Sequence, residues 1–272
     1  MNNKDISGKV VIITGSSMGI GKATARLMGS KGAKLVINGR NPERLKKTEE
    51  MLRGQGYEVL AVQGDVSQVD DCQRLIAAAI EHFGRLDILV NNAGMSSRGL
   101  FEELDPVVFR DMVDINFLGC VYTTRFAIPH LKESQGSVVF VSSVAGIRGL
   151  PETTMYCASK MALTSVAETL KIELAEYNIH VGILYVGITK NEADKQVIGK
   201  DGKLIPLKSR ENSNASTPEE VARAIFKNIR KRKFKMILSG LGKLNFVANI
   251  LFPRLVDRVL IRAKDKVRKM NQ

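Results

Sequence analysis

Short apolar runs, spaced by segments of helical period, recur along the chain. The runs are Lys9-Val10-Val11-Ile12-Ile13-Thr14, Lys34-Leu35-Val36-Ile37-Asn38, Val59-Leu60-Ala61-Val62, Leu86-Asp87-Ile88-Leu89-Val90, Ser137-Val138-Val139-Phe140-Val141, His180-Val181-Gly182-Ile183-Leu184 and Lys235-Met236-Ile237-Leu238. Continuous apolar runs without polar alternation read as strands buried on both faces, as in parallel sheets. Their alternation with helices predicts an α/β architecture: a single doubly wound parallel sheet, helices on both faces, and a ligand at the carboxyl ends of the strands. At 272 residues and 44% hydrophobic content the chain can bury one large core, so residues 1–239 are expected to form one domain.

The pattern changes at about residue 240. Leu244, Val247, Ile250 and Leu251 share one helical face, and Pro253 breaks the helix. Leu255, Val256, Val259, Leu260, Ala263 and Val267 follow, interleaved with Arg258, Arg262, Lys266 and Lys269. Residues 240–272 are thus expected to be a basic amphipathic helical extension. Charges interrupt it too often for a spanning helix, which needs ~20 apolar residues. Two compatible readings remain: it lies in a membrane interface on anionic headgroups, or its apolar face packs as a lid on the same protein or on a second subunit.

Charge sharpens the division. The formal net charge is +13, yet residues 1–226 hold 27 basic and 26 acidic side chains, against 14 and 2 in residues 227–272. A balanced core with a basic tail, Arg230-Lys231-Arg232-Lys233 included, argues against nucleic acid and for a possible anionic membrane surface.

The first run leads into Gly15-Ser16-Ser17-Met18-Gly19-Ile20-Gly21 and then a helical stretch from Lys22. Strand, glycine turn and helix N-terminus together present backbone N–H groups and a helix dipole to one point, which suits a pyrophosphate. Glycines at plain tight turns are the alternative, and their placement between strand and helix favours the dinucleotide.

Tyr156 and Lys160 stand four residues apart, with Ser143 thirteen residues upstream of the tyrosine. On a helix that spacing puts phenol and ammonium on one face, where the cation favours the phenolate. Such a pair can move a proton on or off an alcohol oxygen. A solvated surface pair is the alternative if nothing else agrees.

Thr14-Gly15-Ser16-Ser17-Met18-Gly19-Ile20-Gly21, Asn91-Asn92-Ala93-Gly94, Asn116, Ser143 and the Tyr156/Lys160 pair, in this order, resemble the short-chain dehydrogenase/reductase family in its single-domain Rossmann-fold form over about residues 7–240. The resemblance implies that Tyr156 donates the proton in carbonyl reduction and that Lys160 assists it and holds the nicotinamide ribose. Ser143, rather than its neighbour Ser142, would hold the substrate oxygen, and Asn116 would help hold a water linking Lys160 to solvent. It implies cofactor contacts from Gly15 through Gly21, that is Gly15, Ser16, Ser17, Met18, Gly19, Ile20 and Gly21, and from Asn92, Ala93 and Gly94. Val186-Gly187 departs from the Pro-Gly of relatives, and Asn191 stands where many have Thr. Gly187, Ile188 and Thr189 are still expected at the nicotinamide carboxamide.

The second strand ends in Asn38-Gly39-Arg40-Asn41, where an NAD site would place a carboxylate for the ribose hydroxyls. Arg40 offers a guanidinium fork to a 2′-phosphate instead, with Asn41 beside it, so NADP(H) is expected over NAD(H). Met18 stands where some relatives carry a second basic residue, and an Arg on an exposed loop is the alternative. Asp65-Val66 resembles the family's adenine-binding position, and Asp65 equally suits an N-cap of the next helix.

Met95, Ile147, Leu150, Met155 and Ile188 would line an apolar pocket if they take the family's substrate-facing positions. Asn92-Ala93-Gly94-Met95, Ile115-Asn116-Phe117-Leu118-Gly119 and Val139-Phe140-Val141-Ser142-Ser143 are similar to 3-ketosphinganine reductases and to membrane-associated steroid or retinoid reductases of the family. The expectation is an NADPH-dependent oxidoreductase interconverting a ketone and an alcohol on a lipophilic substrate, such as a 3-keto long-chain base or a steroid-like ketone. By the same resemblance it is a homo-oligomer, dimer or tetramer. A non-catalytic dinucleotide sensor or scaffold, its tail on lipid or nucleic acid, is the alternative. Cys72, Cys120, Cys157, His82, His130 and His180 have no metal-like spacing, so no metal is expected. Three thiols suit a reducing cytosol, and the first strand begins too early to leave room for a signal peptide. The expected place is cytoplasmic, or peripheral on the cytoplasmic membrane face.

Overall fold

The computed structural model describes residues 5–190, 192, 195–207 and 215–271, without the side chains of Leu241 and residues 264–271. Along the chain run β1 (Val10–Ile13), α1 (Gly19–Gly29), β2 (Lys34–Gly39), α2 (Pro42–Gly54), β3 (Val59–Gln63), α3 (Val69–Phe83) and β4 (Ile88–Asn91). Then come α4 (Pro106–Val113), α5 (Gly119–Ser134), β5 (Ser137–Ser143), α6 (Thr154–Glu173), β6 (His180–Val186), β7 (Gln196–Ile198) and β8 (Leu204–Pro206). The chain continues through α7 (Pro218–Arg230), β9 (Lys235–Ile237), α8 (Gly240–Leu251) and α9 (Pro253–Asn271).

Seven strands pair in parallel in the order β3-β2-β1-β4-β5-β6-β9. Successive side chains of a strand point to opposite faces, and the unbroken apolar runs supply both. Val10, Ile12, Leu89, Phe140 and Ile183 join one core under α3, α5 and α6. Val11, Ile13, Val90, Val139 and Leu184 join the other under α1, α2 and α7. Strand order reverses between β1 and β4, and a doubly wound sheet opens its ligand crevice there.

The antiparallel hairpin β7–β8 was not expected from the sequence. Its strands are three residues each, too short to display a period. Ile198 bridges Ser97 and Asp105 N–H donates to Lys200 O at 2.8 Å, so the hairpin walls the segment after β4.

The basic run before β9 is partly structural. Arg232 has φ of 46° and donates to the carbonyls of Gln135 and Asn178, which fixes the turn from α7 into β9. The helix pair breaks at Phe252–Pro253 as expected. Of its apolar positions, Leu244, Val247, Ile250, Leu251, Leu255 and Val259 are exposed, while Val256, Leu260 and Ala263 are half-buried. Among the described residues no helix is long and apolar enough to cross a membrane.

Candidate active site

The cradle begins where β1 ends. Gly15 has φ of +60°, and a Cβ there would stand 2.8 Å from Ala93 Cα; at Gly21 it would stand 2.3 Å from Gly15 O. Only glycine permits this approach of the turn to β4 and to itself. Thr14 Oγ1 accepts from the N–H groups of Asn92 and Ala93 at 3.0 Å each, and Asn92 Nδ2 donates to Thr14 O and Gly15 O. The asparagine amide therefore ties the two crevice strands together.

Ser16 departs from a direct cofactor role. It is fully buried; its hydroxyl donates to Ile13 O at 2.7 Å and its N–H to Asn38 O, so it shapes the turn. Ser17 and Met18 are half-buried at the same turn, and Ser17 O accepts from Thr48 Oγ1.

Gly19, with φ of +53°, faces open space, and its N–H donates to Glu192 Oε1 at 2.7 Å. Lys22 Nζ stands 3.0 Å from the same oxygen. A carboxylate thus rests on the N-terminus of α1, where the helix dipole and the N–H group favour an anion. Glu192 carried no signal in the sequence, because its partners lie across the crevice.

The far end of the crevice is cationic. Arg40 Nη1 stands 3.4 Å from Asp65 Oδ2, and Arg40 Nη2 donates to Met95 Sδ at 3.1 Å. Arg44, in the first turn of α2, donates to Met18 Sδ at 3.3 Å. A guanidinium from α2 thus stands beside position 18. Pro42 at the first helical position marks that turn in the sequence. Asn41 Oδ1 accepts from Arg44 N–H at 2.8 Å, so this side chain caps α2.

Asp65 is not an N-cap. Helix α3 begins at Val69 with Gln68 at its cap, while Asp65 Oδ1 accepts from Ser67 N–H and Oγ, bending the chain ahead of the helix. Asp71 reaches back to accept from Asp65 N–H at 2.7 Å, and this bond, then that from Arg74, holds its carboxyl below the usual carboxylate range. Val66 is buried, pressed against Gly119 of α5.

The expected proton-transfer residues lie on α6, at the end of β5 and in the turn between α4 and α5. Tyr156 and Lys160 lie one turn apart on α6, and Ser143 closes β5, accepting from Ala145 N–H at 3.2 Å. Ser142 faces away: it is buried and donates to Lys160 O at 3.1 Å, which removes it as an alternative. Lys160 is buried, with Nζ donating to Val141 O at 3.1 Å.

Asn116 sits in a π-helical turn, Asp114–Leu118, between α4 and α5. Its Oδ1 accepts from Met95 N–H, and its Nδ2 donates to Met95 O at 2.8 Å and to Ser159 Oγ at 3.1 Å; Ser159 in turn donates to Tyr156 O. Both amide hydrogens are spent, so the side chain clamps the segment after β4 to α6. A Cβ on Gly94 would stand 2.8 Å from Asn116 Oδ1 and 3.2 Å from Lys160 Nζ, so glycine there lets the three meet.

Tyr156, Met95 and Met155 pack with Leu104, Val108, Met112 and Ile198 into an apolar wall. Ile147 packs instead on the sheet core, Leu150 is half-buried and Ile188 is exposed. Ile188 O accepts from Ser216 N–H, Thr189 Oγ1 donates to Gly187 O, and Gly187 lies against Ser239. Asn191 lies outside the described residues.

The family model for short chain dehydrogenases matches residues 9–201. The chain belongs to the short-chain dehydrogenase family. Its fold is the family's too: a short-chain dehydrogenase/reductase from Burkholderia phymatum in complex with NAD superposes with a TM-score of 0.82 at 26% identity, over 92% of this chain and 96% of that one. The alcohol dehydrogenase of the archaeon Thermococcus sibiricus, complexed with 5-hydroxy-NADP, gives 0.75 at 27% identity, over 85% and 96%. Among curated proteins, 11-beta-hydroxysteroid dehydrogenase-like 2 of Arabidopsis thaliana is 36% identical over 263 residues, 94% of this chain and 82% of that one.

The three cysteines of this short-chain dehydrogenase serve the core. Burial pushes the thiol of Cys72 up to about 12 and that of Cys120 to about 11, and Cys157 is buried as well. Among the described residues, no His, Cys, Asp and Glu side chains group into a metal site.

Proposed function

We propose that this short-chain dehydrogenase reduces a hydrophobic, steroid-like or long-chain ketone with NADPH. The observation that carries the reading is the placement of Tyr156: its ring packs with Met95, Met155 and Ile198, while Lys160 lies one turn on along the same helix. A carbonyl presented to that phenol lies among thioether and aliphatic side chains, which favours an apolar substrate over a sugar. The hydroxysteroid-dehydrogenase-like relative supports the same substrate class.

The glycine cradle, with a carboxylate resting on it, fits a dinucleotide, and Arg40 with Arg44 fits a 2′-phosphate at the adenosine end. When bound, the dinucleotide supplies the hydride. Tyr156 gives its proton to the carbonyl oxygen, and Ser143 donates a hydrogen bond to that oxygen as charge develops on it. Lys160 stabilises the phenolate left behind, and Asn116 keeps the segment after β4 in register with α6. The same groups run the reverse reaction when the cofactor ratio favours oxidation.

Consumption of NADPH and of NADH by the purified protein tests this across a steroid ketone, a 3-keto long-chain base and a small polar ketone. Faster NADPH oxidation with the apolar ketones is expected. No turnover with any ketone, or a preference for the polar one, overturns the reading.

A further inference from the structure

Each of the two terminal helices turns a half-buried stripe inward. On α8 it comprises Asn245, Phe246, Ala248 and Asn249; on α9 it comprises Val256, Leu260 and Ala263. Outward, Leu244, Val247 and Leu251 repeat at helical spacing on α8, Phe252 stands at the corner, and Leu255 and Val259 follow on α9. These six side chains are 49–65% exposed. Large apolar residues concentrated on two successive helices mark a surface that something else covers.

The surrounding charge says what. Lys243, Arg254, Arg258 and Arg262 are exposed beside the apolar positions, and residues 227–272 hold 14 basic against 2 acidic side chains. A second copy would set this patch against itself, cation facing cation. A lipid surface takes the apolar side chains below its headgroups and the cations at them.

The helix pair grows from the rim of the active site. A Cβ on Gly242 would stand 2.8 Å from Val144 Cγ1, and Val144 directly follows Ser143. Arg148, on the same stretch, hydrogen-bonds Asn249 of α8 and Asp257 of α9. We infer that α8 and α9 form a docking platform for an anionic bilayer surface, placing the lip of the catalytic crevice against the lipid so that an apolar substrate enters from it. The docking itself needs no turnover and stands whether or not the chain reduces ketones.

Flotation of the full chain with phosphatidylcholine vesicles, with and without phosphatidylserine, tests the platform. The intact protein is expected to float with the phosphatidylserine vesicles and to be released by salt, because headgroup attraction is screened. The double variant Leu251→Glu/Val259→Glu should bind about tenfold more weakly or worse, since two apolar anchors become anions. Arg254→Gln/Arg258→Gln should lose the preference for phosphatidylserine. Unchanged thermal melting and NADPH binding in both variants would separate docking from folding. Protein that stays unbound to every vesicle at low salt overturns the inference, as does equal binding with and without phosphatidylserine. So does a dimer, seen by sedimentation, that the glutamate variant splits, because a second copy then covers the face.

Discussion

Glu192 Oε1 accepts from the Gly19 N–H at 2.7 Å, so a carboxylate from the β6–α7 segment rests where the glycine turn offers its donors to an anion. On the proposed reading a dinucleotide pyrophosphate takes that place, and the pairing of Glu192 with Lys22 has to open for it. Glu192→Gln removes the charge that competes. Both partners are about one-third exposed, which keeps the effect small: roughly three- to tenfold tighter NADPH binding, measured by fluorescence titration. Weaker binding in the variant would show that Glu192 helps the cofactor instead of displacing it.

Tyr156→Phe should lower kcat by about a hundredfold to ten-thousandfold while NADPH affinity holds, because only the transferable proton is gone. Turnover near that of the parent protein would remove Tyr156 as the acid. Lys160→Met should cost both turnover and cofactor affinity, since this ammonium is expected to serve the phenol and the ribose.

Arg40→Ala and Arg44→Ala should each weaken NADPH by about tenfold and NADH much less, as a charge-assisted contact to the 2′-phosphate is lost only with the former. The ratio of the two dissociation constants is the readout. Equal losses for both cofactors would show that these guanidinium groups do not read the phosphate.

His180 is buried on β6 with Nδ1 unpartnered, and desolvation lowers it from 6.5 to about 4. The folded state therefore binds fewer protons than the unfolded chain between those values. Its contribution to stability is complete above about pH 6.5 and is lost as pH falls towards 4, on the order of 3 kcal/mol. Urea unfolding of the parent protein and of His180→Gln across this window checks it. The variant should show a shallower loss, and parallel curves would rule the histidine out.

The seven core strands were readable because each carries a short apolar run, buried on both faces in the five central strands and half-buried in the edge strands β3 and β9, and the helices between them carry a clear period. Of the candidate site, the placement of the glycine turn between β1 and α1 and of Tyr156 one turn from Lys160 on a helix was readable, because both follow from local period and spacing. Contacts made only by tertiary approach were not. Arg44 stands over Met18 because α2 starts at Pro42, and Glu192 reaches Gly19 across the crevice. The β7–β8 hairpin was hidden by strands too short to show a period. Asp65 carries the composition of an N-cap, but Ser67 N–H and Oγ take its carboxylate first.

Gly94 gives the region a particular sensitivity to inherited change. One added carbon at that position would press on Asn116 and on Lys160 together, and through them on the register between the segment after β4 and α6. An alanine there, far from Tyr156 in the chain, should behave like a substitution of the catalytic apparatus and leave the fold intact. A geneticist comparing alleles of this protein should therefore rank position 94 with Asn116 and Lys160, and not with the loops that surround it.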